Sequence, residues 1–343
     1  MFHANIIRNP ADLSPEIRDF FYQHPPSFFQ GPDFLNLLSE TEGFKPFIIV
    51  LSRDRKIVAT LAGANIREGK GIKARVSERT VIYGHPVIAE GHDPAATITK
   101  LLESLKKVSG TSLFTQFRND VDQENVKEAF AAAGFRRLDR LNLIKPIHNI
   151  DEAWAGLSDS RKRQITSSLK NGATIIDQPD TRMVEDFYNQ LLDLYKTKVR
   201  KPLPRKSFFL RFHKLCQAGT IHGRIILCLY NGRVIGGILC PFTPRGSIYE
   251  WYVCGLDQTF RAQKIYPSVL VTWAAMQAGN KLGCTDFDFM GLGIPSRPYG
   301  VRDFKARFGG NWVNHGRWSR VTNPMLYAIA ELGYNVLRVL KKV

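Results

Sequence analysis

Apolar and polar positions divide this chain into short strands and amphipathic helices. Residues 98–107 (ITKLLESLKK) carry apolar side chains at helical spacing and predict a helix. Phe47–Leu51 and Val58–Ala62 are apolar runs on either side of a polar SRDRK stretch, as in a β-hairpin. A second hairpin is clearer: Ile225–Tyr230 and Val234–Cys240 are joined by Asn231-Gly232, a dipeptide suited to a tight turn.

The segments after the two hairpins repeat one another in organisation rather than in letters. RTVIYGHPVIAEG answers GSIYEWYVCGLDQ, and AATITKLLESLKKVSG answers YPSVLVTWAAMQAGNKLG. TSLFTQFR then answers CTDFDFMG, and FRRLDRLNLI answers NWVNHGRWSR. Each half reads helix, helix, hairpin, strand, helix, strand, helical turn, strand. That order predicts an α/β (α+β) fold with two mixed sheets and helices on their faces. Proline and polar residues after LIKPIHNID set the expected boundaries: residues 1–148, residues 149–322, and an amphipathic C-terminal helix over 323–343.

Length and composition fit two ordinary domains: 343 residues, of which 44% are hydrophobic and 23% charged. The 48 basic residues exceed the 31 acidic ones by 17. Such an excess favours polyanionic partners, whether nucleic acid, phosphorylated substrates or an anionic membrane surface, although a uniformly basic proteome would also produce it. Cys216, Cys228, Cys240, Cys254 and Cys284 lack CxxC or Cys/His ligand spacing and read as reduced core thiols, so no metal site is expected. The N-terminus lacks a signal-peptide pattern and no apolar run is long enough to span a bilayer, which predicts a cytoplasmic protein that meets a membrane only from its side.

Nucleophile and metal motifs are missing: there is no GxSxG, HExxH or GxxxxGK[ST]. Basic residues cluster instead, with Lys196, Lys198, Arg200, Lys201, Arg205, Lys206, Arg211 and Lys214 in one acid-free stretch able to bind phosphate. Arg161-Lys162-Arg163 is a shorter run that reads as solvated surface, with an RNA backbone as the alternative. The segment Asp286–Trp312 (DFDFMGLGIPSRPYGVRDFKARFGGNW) begins as a strand, and Gly291 and Gly293 allow a tight exit from the sheet. Next comes a helical turn in which Phe304, Lys305 and Phe308 are neighbours, closed by Gly309-Gly310. An ammonium held this way can stabilise a phosphate or a developing oxyanion.

DFDFMGLG followed by FKARFGG resembles the strand and FK-x-x-F-GG turn of the FemABX family, within the broader GNAT-like acyltransferases. LSDSRKRQITSSLKNGATI is similar to the family's entry into its second domain, and YEWYVCGLDQ to its tyrosine-bearing strand. The resemblance spans roughly residues 150–320. It implies two tandem GNAT-like domains that move an amino acid from aminoacyl-tRNA to an amine of a lipid- or nucleotide-linked peptidoglycan precursor, with no further cofactor. The long helical-hairpin arm of several members is absent from this sequence.

By the same resemblance, Lys305 and Phe304 serve the donor end, Tyr249 and Tyr252 line the acceptor cleft, and Arg200, Lys201 and Arg205 face the precursor's diphosphate. The attacking amine must lose a proton to Asp286, Asp288, Tyr249 or the substrate; Asp288 reads equally as a cap on the turn after it. A second reading is an acyl-CoA-dependent N-acyltransferase acting on an amino sugar, polysaccharide or lipid. GLDQTFRAQKIYPSVL, however, lacks the glycines of a Q/R-x-x-G-x-G/A turn. A non-catalytic nucleic-acid-binding protein is the third.

Overall fold

The computed structural model describes residues 1–69, 71, 74 and 76–328. The chain divides into two compact units, Met1–Asp139 with His315–Val343, and Arg140–Asn314.

The first unit runs β1 (Phe2–Ile7), α1 (Pro15–Gln23), α2 (Pro32–Ser39), β2 (Phe44–Arg53), β3 (Lys56–Ile66), β4 (Arg79–Tyr83), β5 (Val87–Ile88), α3 (Pro94–Ser109), β6 (Phe114–Arg118), α4 (Lys127–Ala132) and β7 (Arg136–Leu138). Its sheet has the order β1-β2-β3-β4-β6, continued by the strand Arg317–Val321 and then β7, with β5 on β3. The β2–β3 hairpin turns at Asp54 and Arg55, both left-handed (φ 50° and 65°), the conformation that matches the twist of paired strands. β4 and β6 are parallel, joined by α3 over the sheet. α3 starts with Asp93, whose carboxylate accepts from Ala95 N and Ala96 N, and it buries Ile98, Leu101, Leu102 and Leu105. They pack with Phe117, Phe130, Phe135 and Trp318, whose indole stacks on Phe130 at 4.9 Å.

The second unit runs β8 (Asn142–Pro146), α5 (Ile150–Ala155), α6 (Asp159–Lys170), β9 (Thr174–Ile176), α7 (Thr181–Leu194), a π-turn (Tyr195–Val199), α8 (Lys206–Gln217), β10 (Gly223–Tyr230), β11 (Arg233–Pro241), β12 (Ser247–Tyr249), β13 (Tyr252–Gly255), α9 (Pro267–Lys281), β14 (Asp286–Asp288), α10 (Gly300–Ala306) and β15 (Asn311–Val313). Its strands form two sheets, β13-β11-β10-β9 and β12-β14-β8-β15. Asn231 and Gly232 (φ 49° and 73°) make the expected tight turn between β10 and β11. α9 is apolar on nearly all sides and fills the core between the sheets' inner faces, with Val269, Leu270, Val271, Trp273, Ala275 and Met276 buried.

The repeated order of elements is present, and each unit has a mixed sheet as expected, but the second unit divides its strands between two sheets, of which β13-β11-β10-β9 is wholly antiparallel. The boundaries differ from 148/149 and 322/323, because hydrogen bonding overrides chain order. FRRLDRLNLI is two strands rather than one: β7 stays in the first unit, while β8 pairs with β14 and β15 in the second. NWVNHGRWSR divides likewise into β15 and β16 (Arg317–Val321), and β16 inserts between β6 and β7 of the first unit. Each unit therefore takes one strand from the other half of the sequence. Asn323 opens a helix at Pro324, its carboxamide oxygen accepting from Leu326 N; the expected helix beyond residue 328 lies outside the described residues. Four of the cysteines are buried and none of the five forms a disulfide, and burial pushes the Cys228 thiol up to about 12.

Candidate functional site

The site grows from a change of partners along residues 247–255. β12 runs parallel to β14, with Tyr249 opposite Asp288, whereas β13 is antiparallel to β11. The switch falls between two residues: Glu250 N donates to Asp288 O at 2.9 Å, and Trp251 N to Leu239 O at 3.1 Å. The two sheets part here, and the Glu250 side chain turns inward, 4% exposed.

Lys305, 7% exposed, meets it from α10. Its ammonium reaches Glu250 Oε1 at 2.8 Å and donates to Phe289 O at 2.5 Å and Gly291 O at 3.5 Å. An ammonium has three donors, and three acceptors use them. Burial raises the Glu250 carboxyl above its usual range, and the Lys305 charge opposes that rise. One turn earlier on α10, Arg302 donates to Leu292 O, Ile294 O and Pro295 O. Two cations of a single short helix thereby fasten the loop from Phe289 to Pro295 through five carbonyls.

The loop needs that fastening because its backbone is costly. Met290 is left-handed (φ 55°), and Gly291 and Gly293 also have positive φ (118° and 81°). Asp288 Oδ1 accepts from Met290 N at 2.6 Å and from Asn142 Nδ2 at 2.7 Å, and Asn142 Oδ1 accepts from Gly291 N at 2.7 Å. Asp288 and a side chain from β8 together hold the exit from β14.

Behind the turn lies Arg161, 4% exposed. Its guanidinium sits 4.3 Å from the Phe304 ring centroid and 4.9 Å from that of Phe308, and it donates to Phe304 O at 2.8 Å. Burial and nearby Arg307 lower its pKa to about 10. The expectation that the Arg161-Lys162-Arg163 run is solvated thus fails at its first member, because α6 packs its opening turn against α10.

Tyr249, Asp288, Phe304 and Lys305 are brought together around this loop. Tyr249 is buried beside Asp288, its hydroxyl 3.4 Å from Thr243 Oγ1. Tyr252 lies one step further along, in the other sheet, stacked on Trp251 and 6.4 Å from Tyr195. Tyr195 opens the π-turn, which ends at left-handed Arg200 (φ 52°). Lys201 is exposed, and exposed Arg205 is the residue before α8. Glu250, Asn142 and Arg302 are the participants that the pattern of the sequence leaves unmarked, whereas Arg161 is marked only as part of a basic run. Only Glu250 has a local signal, as a lone acid among aromatic residues in YEWY. No group of three or more His, Cys, Asp or Glu side chains able to hold a metal occurs among the described residues.

Residues 159–306 match a family described as an acetyltransferase (GNAT) domain. No curated protein matches the chain in sequence. Among solved structures, FemX is similar at 16% identity and a TM-score of 0.67, over 91% of this chain and 96% of that one. The C-terminal domain of a putative lysylphosphatidylglycerol synthetase from Agrobacterium fabrum is similar at 13% identity and a TM-score of 0.57, covering 96% and 97%. A tandem GNAT protein from the clavulanic acid biosynthesis pathway is similar at 11% identity and a TM-score of 0.58, covering 94% and 99%. The second unit thus carries a match to an acetyltransferase (GNAT) domain, and the chain has a FemX-like, tandem-GNAT fold, the FemX match spanning 91% of its length.

Proposed function

We propose that the chain is a FemABX-like aminoacyltransferase that moves an amino acid from aminoacyl-tRNA to an amine of a lipid- or nucleotide-linked peptidoglycan precursor. The observation that carries this reading is the FK-x-x-F-GG turn, folded as a buried unit whose Lys305 is tied to Glu250 and to the loop beside Tyr249. An aminoacyl ester is already activated, and attack by an amine needs chiefly alignment, so a rigidly fixed loop is a sufficient device and a covalent nucleophile is unnecessary. In this reading Lys305 is a positioning residue that holds the loop carbonyls in place, and Phe304 closes the turn over Arg161. Tyr249 and Tyr252 line the acceptor cleft, and Arg200, Lys201 and Arg205 contact the diphosphate. The net charge of +17 suits tRNA, a lipid diphosphate and the anionic inner leaflet, and fits a reaction in the cytoplasm at that surface. No helix of the described residues is long and apolar enough to cross a membrane.

Asp288 fixes a turn here rather than taking the proton from the amine. Asp288→Asn keeps an oxygen for Met290 N and Asn142 Nδ2, so its transfer rate should stay within about 3-fold of the parent, less than the roughly 10²–10⁴-fold typical of a lost general base. Asp288→Ala removes both bonds and should cost far more. An inactive but folded Asn variant would return Asp288 to the proton-acceptor role.

The GNAT-family match at residues 159–306 favours the second reading, an acyl-CoA-dependent N-acyltransferase acting on an amino sugar, polysaccharide or lipid. The deciding assay offers purified protein and a muropeptide precursor either labelled aminoacyl-tRNA or labelled acetyl-CoA. Label reaching the precursor from tRNA alone is the expected result. Label moving only from acetyl-CoA overturns the aminoacyl reading.

A further inference from the structure

α9 begins just after β13, across the turn containing Asp257. A helix start gathers unpaired N–H groups at a positive pole and accepts anions there. Tyr266, at the N-cap, offers no side-chain bond, and Pro267 has no N–H to give. The missing acceptor comes from outside the helix, because the Asp257 carboxylate accepts from both the backbone N–H and the hydroxyl of Ser268. Gly255 makes room for this contact. A Cβ at that position would lie 2.4 Å from Ser268 N and 2.8 Å from Asp257 Oδ2.

A second feature, a buried cation on α6, bears on the same carboxylate. Arg161 is only 4% exposed, its Nε has no acceptor, and it has no ion-pair partner among the described residues. Its guanidinium and Asp257 act on each other electrostatically, and exposed Arg307 adds further positive potential around Arg161. Burial raises the Asp257 carboxyl above its ordinary value, and the bonds from Ser268 and the charge of Arg161 oppose that rise. A helix pole and a buried guanidinium thus bear on a single carboxylate supplied by the chain itself. The turn between β13 and α9 is also tied down, since Ser167 Oγ donates to Lys264 O and Asn171 Nδ2 to Gln263 O from α6.

We propose that Asp257 is a built-in anion occupying the phosphate-accepting start of α9, so that the second unit rejects acyl donors carried on a diphosphate, coenzyme A thioesters among them. The inference rests on the aminoacyl reading, in which the reactive ester hangs on a ribose and no diphosphate needs this position. Asp257 is in that sense a specificity-determining residue: its charge repels a second anion, and its bonds use the N–H that a phosphate would take.

Calorimetric titration of the full chain with inorganic pyrophosphate, and separately with coenzyme A, tests this without any transfer step. The parent protein should show no saturable binding of either. Asp257→Ala should bind both at least about 10-fold more tightly, once the like charge is gone and the helix pole is open. Adding Arg161→Gln to that variant should cancel the gain. Asp257→Asn keeps the acceptor oxygen without the charge and should show a smaller gain, which preserves the test if the alanine variant folds poorly. Tight coenzyme A binding by the parent, or no gain in either folded variant, overturns the proposal. Failure of the aminoacyl reading is recognised separately: it would be transfer by the parent from acetyl-CoA, whereas an absent gain on Asp257 substitution leaves tRNA-dependent transfer untouched.

Discussion

Lys305→Ala should lower transfer by at least about 10-fold, about 1.4 kcal/mol in the barrier, and also weaken the fold. The two effects share a cause. Without the ammonium, the Glu250 carboxylate is buried with no counter-charge, and the carbonyls of Phe289 and Gly291 lose their donor. Breaking a buried pair from one side costs about 3–5 kcal/mol, whereas replacing both partners by neutral groups costs far less. Lys305→Met combined with Glu250→Gln should therefore recover most of the stability while transfer remains low, because the loop still lacks its fastening. A double variant with full activity would show that Lys305 contributes nothing beyond stability.

The pH dependence separates this account from simple loss of packing. Lys305 now holds the Glu250 carboxyl down against burial, so its removal lets that pKa climb further above 4.5. A carboxyl with a raised folded pKa keeps a proton that the unfolded chain releases, and stability falls as pH rises from the unfolded value through the folded one. The deficit of Lys305→Ala should be small near the unfolded value of 4.5 and complete above the raised pKa. Denaturant unfolding of parent and variant at about pH 5 and about pH 8 measures it. An equal deficit at both values would mean that Glu250 is not the group left stranded.

The second large effect is expected at Gly309. Its φ is 72°, and a Cβ there would lie 2.4 Å from the carbonyl oxygen of Gly156 and 3.2 Å from Lys145 Nζ. The left-handed backbone alone costs an alanine about 1–2 kcal/mol. Overlap with a main-chain oxygen that cannot rotate away brings the expected total to about 3 kcal/mol or more. Gly283→Ala is the natural control, since its φ is 77° but no atom lies within 4 Å of the added carbon. It should lose only the backbone part, about 1 kcal/mol. Similar losses at the two positions, read by thermal unfolding, would remove the claim that the turn is pressed against the end of α5.

Much of this was legible because it is local. The β2–β3 and β10–β11 hairpins could be read from apolar runs and their turn residues, and the body of α3, residues 98–107, from its 3.6-residue spacing. The turn around Lys305 was marked by its paired glycines, and Asp288 by its place before Met290 and Gly291, where a short acidic side chain can reach the next-but-one N–H. The order of elements, read twice, sufficed for a mixed sheet in each unit, though not for the split of the second unit's strands into two sheets.

Pairing partners were not legible, since a strand's alternation states which face is buried and not which neighbour it joins. β8 and β16 carry ordinary strand patterns, and only the hydrogen bonds of the folded chain assign each to the unit opposite its half of the sequence. For the same reason Lys305 read as an ammonium held in its turn for a phosphate or a developing oxyanion, while folding commits it to Glu250 and two carbonyls. Arg161 looked like surface until α10 covered it. Elements, turns and the excess of positive charge are properties of the amino-acid string, because each depends on composition or on neighbours within a few residues. Which charges are buried, what they hold and which strands share a sheet depend on contacts between distant segments, and these arise only when the chain has folded.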